Sequence, residues 1–181
     1  LNGLQNIKTI GNSLFVNTND ALLTIDGLSN LTQVGENIVV CGNKVLTNIY
    51  DFLGITSVAR NLTVGSDPNP LALTKPKLTS IEGLSNITSV GGDMFVSGNL
   101  IQDLSGLEKL TTVDGFLKIS FNTQMTSLTG IENLISVGGR LEFRNNYSLV
   151  NLNSLSNLSS VGEALEIIEN TSLTSISGLY G

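Results

Sequence analysis

The side chains in this sequence that could do chemistry are carboxylates. There is no histidine, which excludes His-based triads, imidazole metal sites and imidazole acid–base work. Glu142 and Glu166 stand 24 residues apart, with Glu163 and Glu169 close by. On adjacent rungs of a stacked array, two such carboxylates would repel, raise one pKa and form an acid–base pair. Lys118 shares their column, however, and Arg140 and Arg144 flank Glu142. The group therefore reads as a solvated charge network, and the expectation is a chain that is not an enzyme and has no cofactor. No Asp-rich loop supplies the converging oxygens of a calcium site. A single cysteine, Cys41, excludes an internal disulfide framework and a thiolate zinc cluster.

Whatever positions these groups must be built from unusual material. Of 181 residues, 40% are hydrophobic and only 13% charged, about half the usual charged share. Such a chain can fold, but Ser, Thr, Asn and Gly must cover much of its surface. The net charge is −6 and the nine basic residues are scattered, so a nucleic-acid footprint is not expected. No run of 18 apolar residues marks a membrane span. The sequence starts at Leu1 already in repeat phase, which suggests a processed or truncated piece.

Internal repetition organises the chain. Leu4, Leu28, Phe52, Leu84, Leu107, Ile131, Leu155 and Leu179 align at intervals of 24, 24, 32, 23, 24, 24 and 24 residues. Each start is followed at three-residue steps by two more apolar positions, as at Ile7 and Ile10 or Leu134 and Val137. Then comes period-two alternation: Leu14/Val16, Ile38/Val40, Leu62/Val64, Met94/Val96, Leu117/Ile119, Leu141/Phe143 and Leu165/Ile167. That pattern predicts half-buried strands, inward at these positions and outward between them. Seven strands at one phase stack most simply as a parallel sheet, one per coil.

A polar column follows: Asn19, Asn43, Asp67, Asn99, Asn122, Asn146 and Asn170. Inward Asn at a bend can bond backbone groups that the turn leaves unpaired, and the amides can pair between rungs. A solvent-exposed turn Asn is the alternative. Pairs such as Leu22/Ile25 and Leu149/Leu152 give each coil a third side, closed by a turn at Gly27, Gly83, Gly106, Gly130 or Gly178. Helix competes for the L-x-x-I spacing, but the intervening Gly, Ser, Thr and Asn have weak helix propensity. The expected architecture is an all-β, three-sided parallel β-solenoid of seven coils starting near residues 4, 28, 52, 84, 107, 131 and 155. With rungs ~4.8 Å apart it would be only ~34 Å long.

The segment Leu141 to Leu149 reads L-x-F-x-x-N-x-x-L, similar to the leucine-rich repeat core L-x-L-x-x-N-x-L. The gap after Asn146 is one residue longer, and Val137 precedes Leu141 by four rather than three. With GLSNITSVGGDMFVSGN (Gly83 to Asn99) and GIENLISVGGRLEFRNN (Gly130 to Asn146), the whole chain resembles receptor L-domain repeats. Similar arrays occur in fungal, bacterial and protist surface proteins. The resemblance implies a right-handed coil and an extracellular or cell-surface setting. It does not carry over hormone binding, because the cysteine-rich neighbours and irregular ligand loops of the receptors have no counterpart here.

Three surface features invite a partner. The outward strand positions of the first five coils are nearly uncharged and present Phe15, Val39, Phe95 and Phe116, and an apolar patch with a polar rim commonly marks a partner surface. Exposed cross-strand aromatics also suit a sheet for their own sake. The third coil is longer by about eight residues and holds all three prolines in 67–77, with Pro68, Pro70, Leu71 and Leu73 as candidate contacts. Six N-x-S/T sequons occur, and Asn30, Asn86 and Asn157 are the candidate glycan acceptors. A Ser/Thr corner recurs at Thr32, Thr56, Thr88, Thr111 and Ser159, but it lacks the flat T-x-T strand of ice-binding solenoids.

Two functions are therefore expected to compete. One is a surface recognition or adhesion module binding a protein or glycan through the sheet face and the 67–77 loop. The other is a subunit that stacks on copies of itself, end to end, into a filament or surface layer, because a solenoid end exposes unpaired backbone and an apolar cross-section.

Overall fold

The computed structural model describes residues 3–66 and 77–179. Seven four-residue strands form one parallel sheet in chain order: β1 (Leu14–Asn17), β2 (Ile38–Cys41), β3 (Leu62–Gly65), β4 (Met94–Ser97), β5 (Leu117–Ser120), β6 (Leu141–Arg144) and β7 (Leu165–Ile168). Register follows sequence phase without a slip. Val16 lies opposite Val40, Val40 opposite Val64, and Val64 opposite Val96 across the 32-residue interval. The chain is a parallel β-solenoid, as its periodicity predicts.

A second side carries two-residue strands such as Ser57–Val58, Ser89–Val90 and Ser136–Val137, also parallel. Among the described residues the third side has no ladder strands beyond an isolated bridge, Asn151 to Ser175. There the L-x-x-I spacing ends in single 3-10 turns at Asp26–Leu28, Tyr50–Phe52, Glu82–Leu84, Asn153–Leu155 and Ser177–Leu179. The helical signal in that spacing is thus real but lasts one turn.

Inward strand residues and the three apolar positions of each turn make one continuous core, with Ile38, Leu62, Met94, Leu141 and Phe143 fully buried. The interior is sealed in the middle coils and half-open at both terminal ones: Leu4, Ile7, Ile10 and Leu14 are half-buried in the first coil, and in the last Leu165 is 41% exposed and Ile167 and Val161 are half-buried.

The extra residues of the long coil fall between β3 and Leu78: Gly65 pairs with Cys41 at an offset of 24 residues, whereas the Thr79 N–H bonds the Thr47 carbonyl at an offset of 32. Asp67, Pro68, Pro70, Leu71 and Leu73 lie outside the described residues. The short fourth coil lacks one residue between Asn99 and Ile101; Ile101 and Leu104 nevertheless fill the core positions that Met125 and Leu128 fill in the next coil.

Close coil-to-coil approach dictates some residue types. At Gly130, φ is 109° and a Cβ would lie 2.1 Å from the carbonyl oxygen of Leu104, so no side chain fits without moving backbone. A column of left-handed residues, not signalled by the sequence, bends the chain after six of the seven strands. It holds Thr18, Gly42, Gly98, Phe121, Asn145 and Glu169, with φ between 54° and 68°. Left-handed backbone costs a residue with a Cβ about 1–2 kcal/mol. Phe121, 49% exposed, has little packing to lose. Phe121→Gly should therefore stabilise the fold by up to about 1 kcal/mol after glycine's extra entropy loss. Urea unfolding midpoints would show it, and a fall of more than that size would contradict the assignment.

Candidate functional site

Many polar side chains hold one coil on the next. In the Asn column, Asn122 donates from Nδ2 to the Val96 carbonyl at 2.9 Å. Its Oδ1 accepts the backbone N–H of Asn99, also at 2.9 Å. Asn146 does the same with Ile119 and Asn122, and Asn170 with Phe143 and Asn146. Asn43 bonds the Val16 carbonyl and the Asn19 N–H. Each amide therefore satisfies one donor and one acceptor that the bend frees on the preceding coil. Asn43, Asn99, Asn122, Asn146 and Asn170 are buried, whereas Asn19, on the first coil, is exposed. Amide-to-amide pairing is minor, seen only from Asn19 to Asn43 among the described residues.

Two further ladders follow the same logic. The Nδ2 groups of Asn30, Asn86 and Asn157 donate at 2.7–2.8 Å to the carbonyls of Gln5, Leu53 and Glu132. Asn133, which is not in a sequon, does so to Glu108. One N–H of each candidate glycan-bearing amide is thus already in use. At the Ser/Thr corner, Thr32, Thr88, Thr111 and Ser159 donate their hydroxyls to carbonyls of the preceding coil at 3.0–3.2 Å.

The outward face of the sheet is narrower than strand alternation alone suggests. Its first column is another ladder: Ser13, Asn37, Asn61 and Asp93 accept the N–H of Asn37, Asn61, Asp93 and Phe116 in turn. In the third column Cys41, Gly65 and Ser120 are buried. The middle column runs Phe15, Val39, Thr63, Phe95, Lys118, Glu142, Glu166 in strict register. Phe15 is 63% exposed and Phe116, in the adjacent column, 39%. Val39 and Phe95 are half-buried, and Thr63 between them is covered. Phe116 lies against Gly139, with the Arg140 guanidinium 5.9 Å from its ring centroid in a cation–π arrangement. The four apolar residues do share one face.

Beyond them the face becomes charged. Glu142 Oε1 receives Arg144 Nε at 2.7 Å and Lys118 Nζ at 3.1 Å, and Arg140 pairs with Glu166 at 3.1 Å. Glu169 accepts from the Asn145 amide. Glu142 is 7% exposed. Burial, the largest single influence, pushes its carboxyl up. Hydrogen bonds from Arg144 and Lys118, with their charges, together outweigh burial and hold it below the ordinary carboxylate range. Glu142 raises the Arg144 guanidinium in return. Glu142 and Glu166 are thus each neutralised by cations rather than set against one another.

A carboxyl lowered on folding stabilises the fold above its unfolded value, ~4.3, and that contribution fades as pH falls through the folded value. At neutral pH Glu142→Gln should cost about 1–2 kcal/mol, discounted for its partly exposed partners. The gap between the two melting temperatures should close in acid; a gap that stays constant down to the acid transition would remove Glu142 from this role.

A shallow cavity of about 450 Å³ lies on the third side, where the short fourth coil recesses the wall. Tyr50, Thr79, Ser80, Ile81, Glu82, Leu100, Ile101, Gln102, Asp103, Ser105 and Gln124 line it. The 23-residue interval was the only trace of it in the sequence. No group of acidic, cysteine or histidine side chains that could hold a metal ion occurs among the described residues. No helix in them is long and apolar enough to cross a membrane. No protein-family model matches the chain, and a search of curated proteins returns no significant match.

Proposed function

We propose that this chain is a non-enzymatic recognition or adhesion module of the cell surface or extracellular space, binding a protein or glycan partner on its sheet face. The observation that carries the reading is the group Phe15, Val39, Phe95 and Phe116 on one face of the parallel sheet, with Phe15 63% and Phe116 39% exposed. Large aromatics on a preformed surface give contact area at little ordering cost. The polar groups around them bond neighbouring coils, so the row is the part of the face left for a partner. The carboxylates suit this reading as well, since Glu142 held ionised by two cations is poorly placed to donate a proton. A surface setting and kinship with L-domain-like arrays rest on the repeat pattern from Gly83 to Asn99 and from Gly130 to Asn146.

Beads coated with the chain provide the test, scored for attachment to intact cells against beads carrying Phe95→Ser/Phe116→Ser. The doubly substituted chain should keep its melting temperature and lose at least about tenfold in attachment, roughly 1.4 kcal/mol. Undiminished attachment would exclude the face.

Coil-on-coil stacking is the second reading, favoured by the half-exposed interior at Leu165, Val161 and Ile167. The surface it offers fits another coil of the same kind, whether in a longer array or in a second copy. Sedimentation of the chain over a wide concentration range would decide for the second copy; a constant monomer mass would exclude it.

A further inference from the structure

The recess on the third side differs from the Thr and Asn corner in how its polar groups are used, although Thr79 donates to the Thr47 carbonyl and Ser80 accepts the Glu82 N–H. In a groove of about 480 Å³ over that corner, the hydroxyls of Thr88 and Thr111 and the amides of Asn133 and Asn157 are taken by carbonyls of the preceding coil. In the recess the side chains of Gln102, Gln124, Glu82 and the Tyr50 phenol make no hydrogen bond within the described residues. Asp103 accepts only the Ser105 N–H, on Oδ1. The missing residue before Ile101 sets the wall back between Tyr50 and Glu82 on one side and Gln124 on the other. A volume of about 450 Å³ lies within the range of small-ligand sites.

We propose that this recess binds a neutral saccharide unit. Two primary amides offer both donors and acceptors, and two carboxylates offer acceptors, which together match the many hydroxyls of an uncharged sugar. Tyr50, 46% exposed, and Leu100, 37% exposed, give an aromatic and an aliphatic surface for the C–H face of a pyranose ring. An anionic sugar would meet Glu82 and Asp103 in a chain of net charge −6. A purely apolar guest would leave the amides and carboxylates desolvated without partners. The site is on a different side of the coil from the aromatic row and stands or falls separately from it.

The test is ligand-observed NMR on the whole chain with methyl glucoside, methyl galactoside, methyl mannoside and a neutral trisaccharide of each. Sialyllactose and tetralysine serve as the charged comparators. At least one neutral probe should bind saturably with Kd of roughly 1 mM. Tyr50→Ala and Gln102→Ala/Gln124→Ala should each weaken it at least tenfold at unchanged melting temperature, while Phe95→Ser/Phe116→Ser leaves it intact. The proposal is overturned if no neutral probe binds, if tetralysine alone binds, or if the bound probe ignores both recess variants.

Discussion

Asn122→Leu is expected to destabilise the protein by about 2–6 kcal/mol. The substituted side chain is fully buried and bridges two backbone groups, the Val96 carbonyl and the Asn99 N–H. Leucine matches asparagine in size but satisfies neither, and each orphaned buried group costs roughly 1–3 kcal/mol. Water cannot easily take over, because Asn99 and Asn146 close the column on either side and are themselves buried. The same change at Asn19, exposed on the first coil, should cost far less. Chemical denaturation of both variants measures the difference. Equal small effects would mean that the column is decoration on a stack held by its core alone.

The second large effect belongs to that core. Phe143 is among the largest fully buried side chains and sits between Ile119 and Ile167 in the inward row. Phe143→Ala should cost about 3–5 kcal/mol, the sum of lost transfer energy and an unfilled cavity. A solenoid coil contacts only its neighbours, so the damage should be local in origin: coils six and seven should loosen first. Amide exchange would then rise in β6 and β7 before β2 and β3. A loss under 1 kcal/mol would imply a core able to collapse around the gap.

Repetition made the fold readable, because a side chain's phase predicts its neighbours in space and seven coils state that phase repeatedly. Val40 opposite Val64, and the burial of Asn43, Asn122 and Asn146, follow from it directly. What escaped is what departs from the period or is carried by backbone. Residue type gives no hint that Thr18, Phe121 and Glu169 are left-handed, since none of the three favours that region; only the bend forces it. Alternation marks Asn37, Asn61 and Asp93 as outward but cannot show that each caps the N–H of the next coil. Glu142 is outward too, yet buried by its own salt-bridge partners. The four face residues were legible as a group; the recess was not, since one missing residue before Ile101 reads as noise until its neighbours are placed around it. Pro68, Pro70, Leu71 and Leu73 lie outside the described residues.

The coil-to-coil bonding that frees the aromatic row for a partner can be measured directly by residue-resolved amide hydrogen exchange. The Asn99, Asn122 and Asn146 N–H groups, each held by the side chain of the next coil, should exchange as slowly as the strand amides of Ile119 and Phe143, opening only with global unfolding. Fast exchange at those three positions while the strands stay protected would contradict the side-chain ladder on which the account rests.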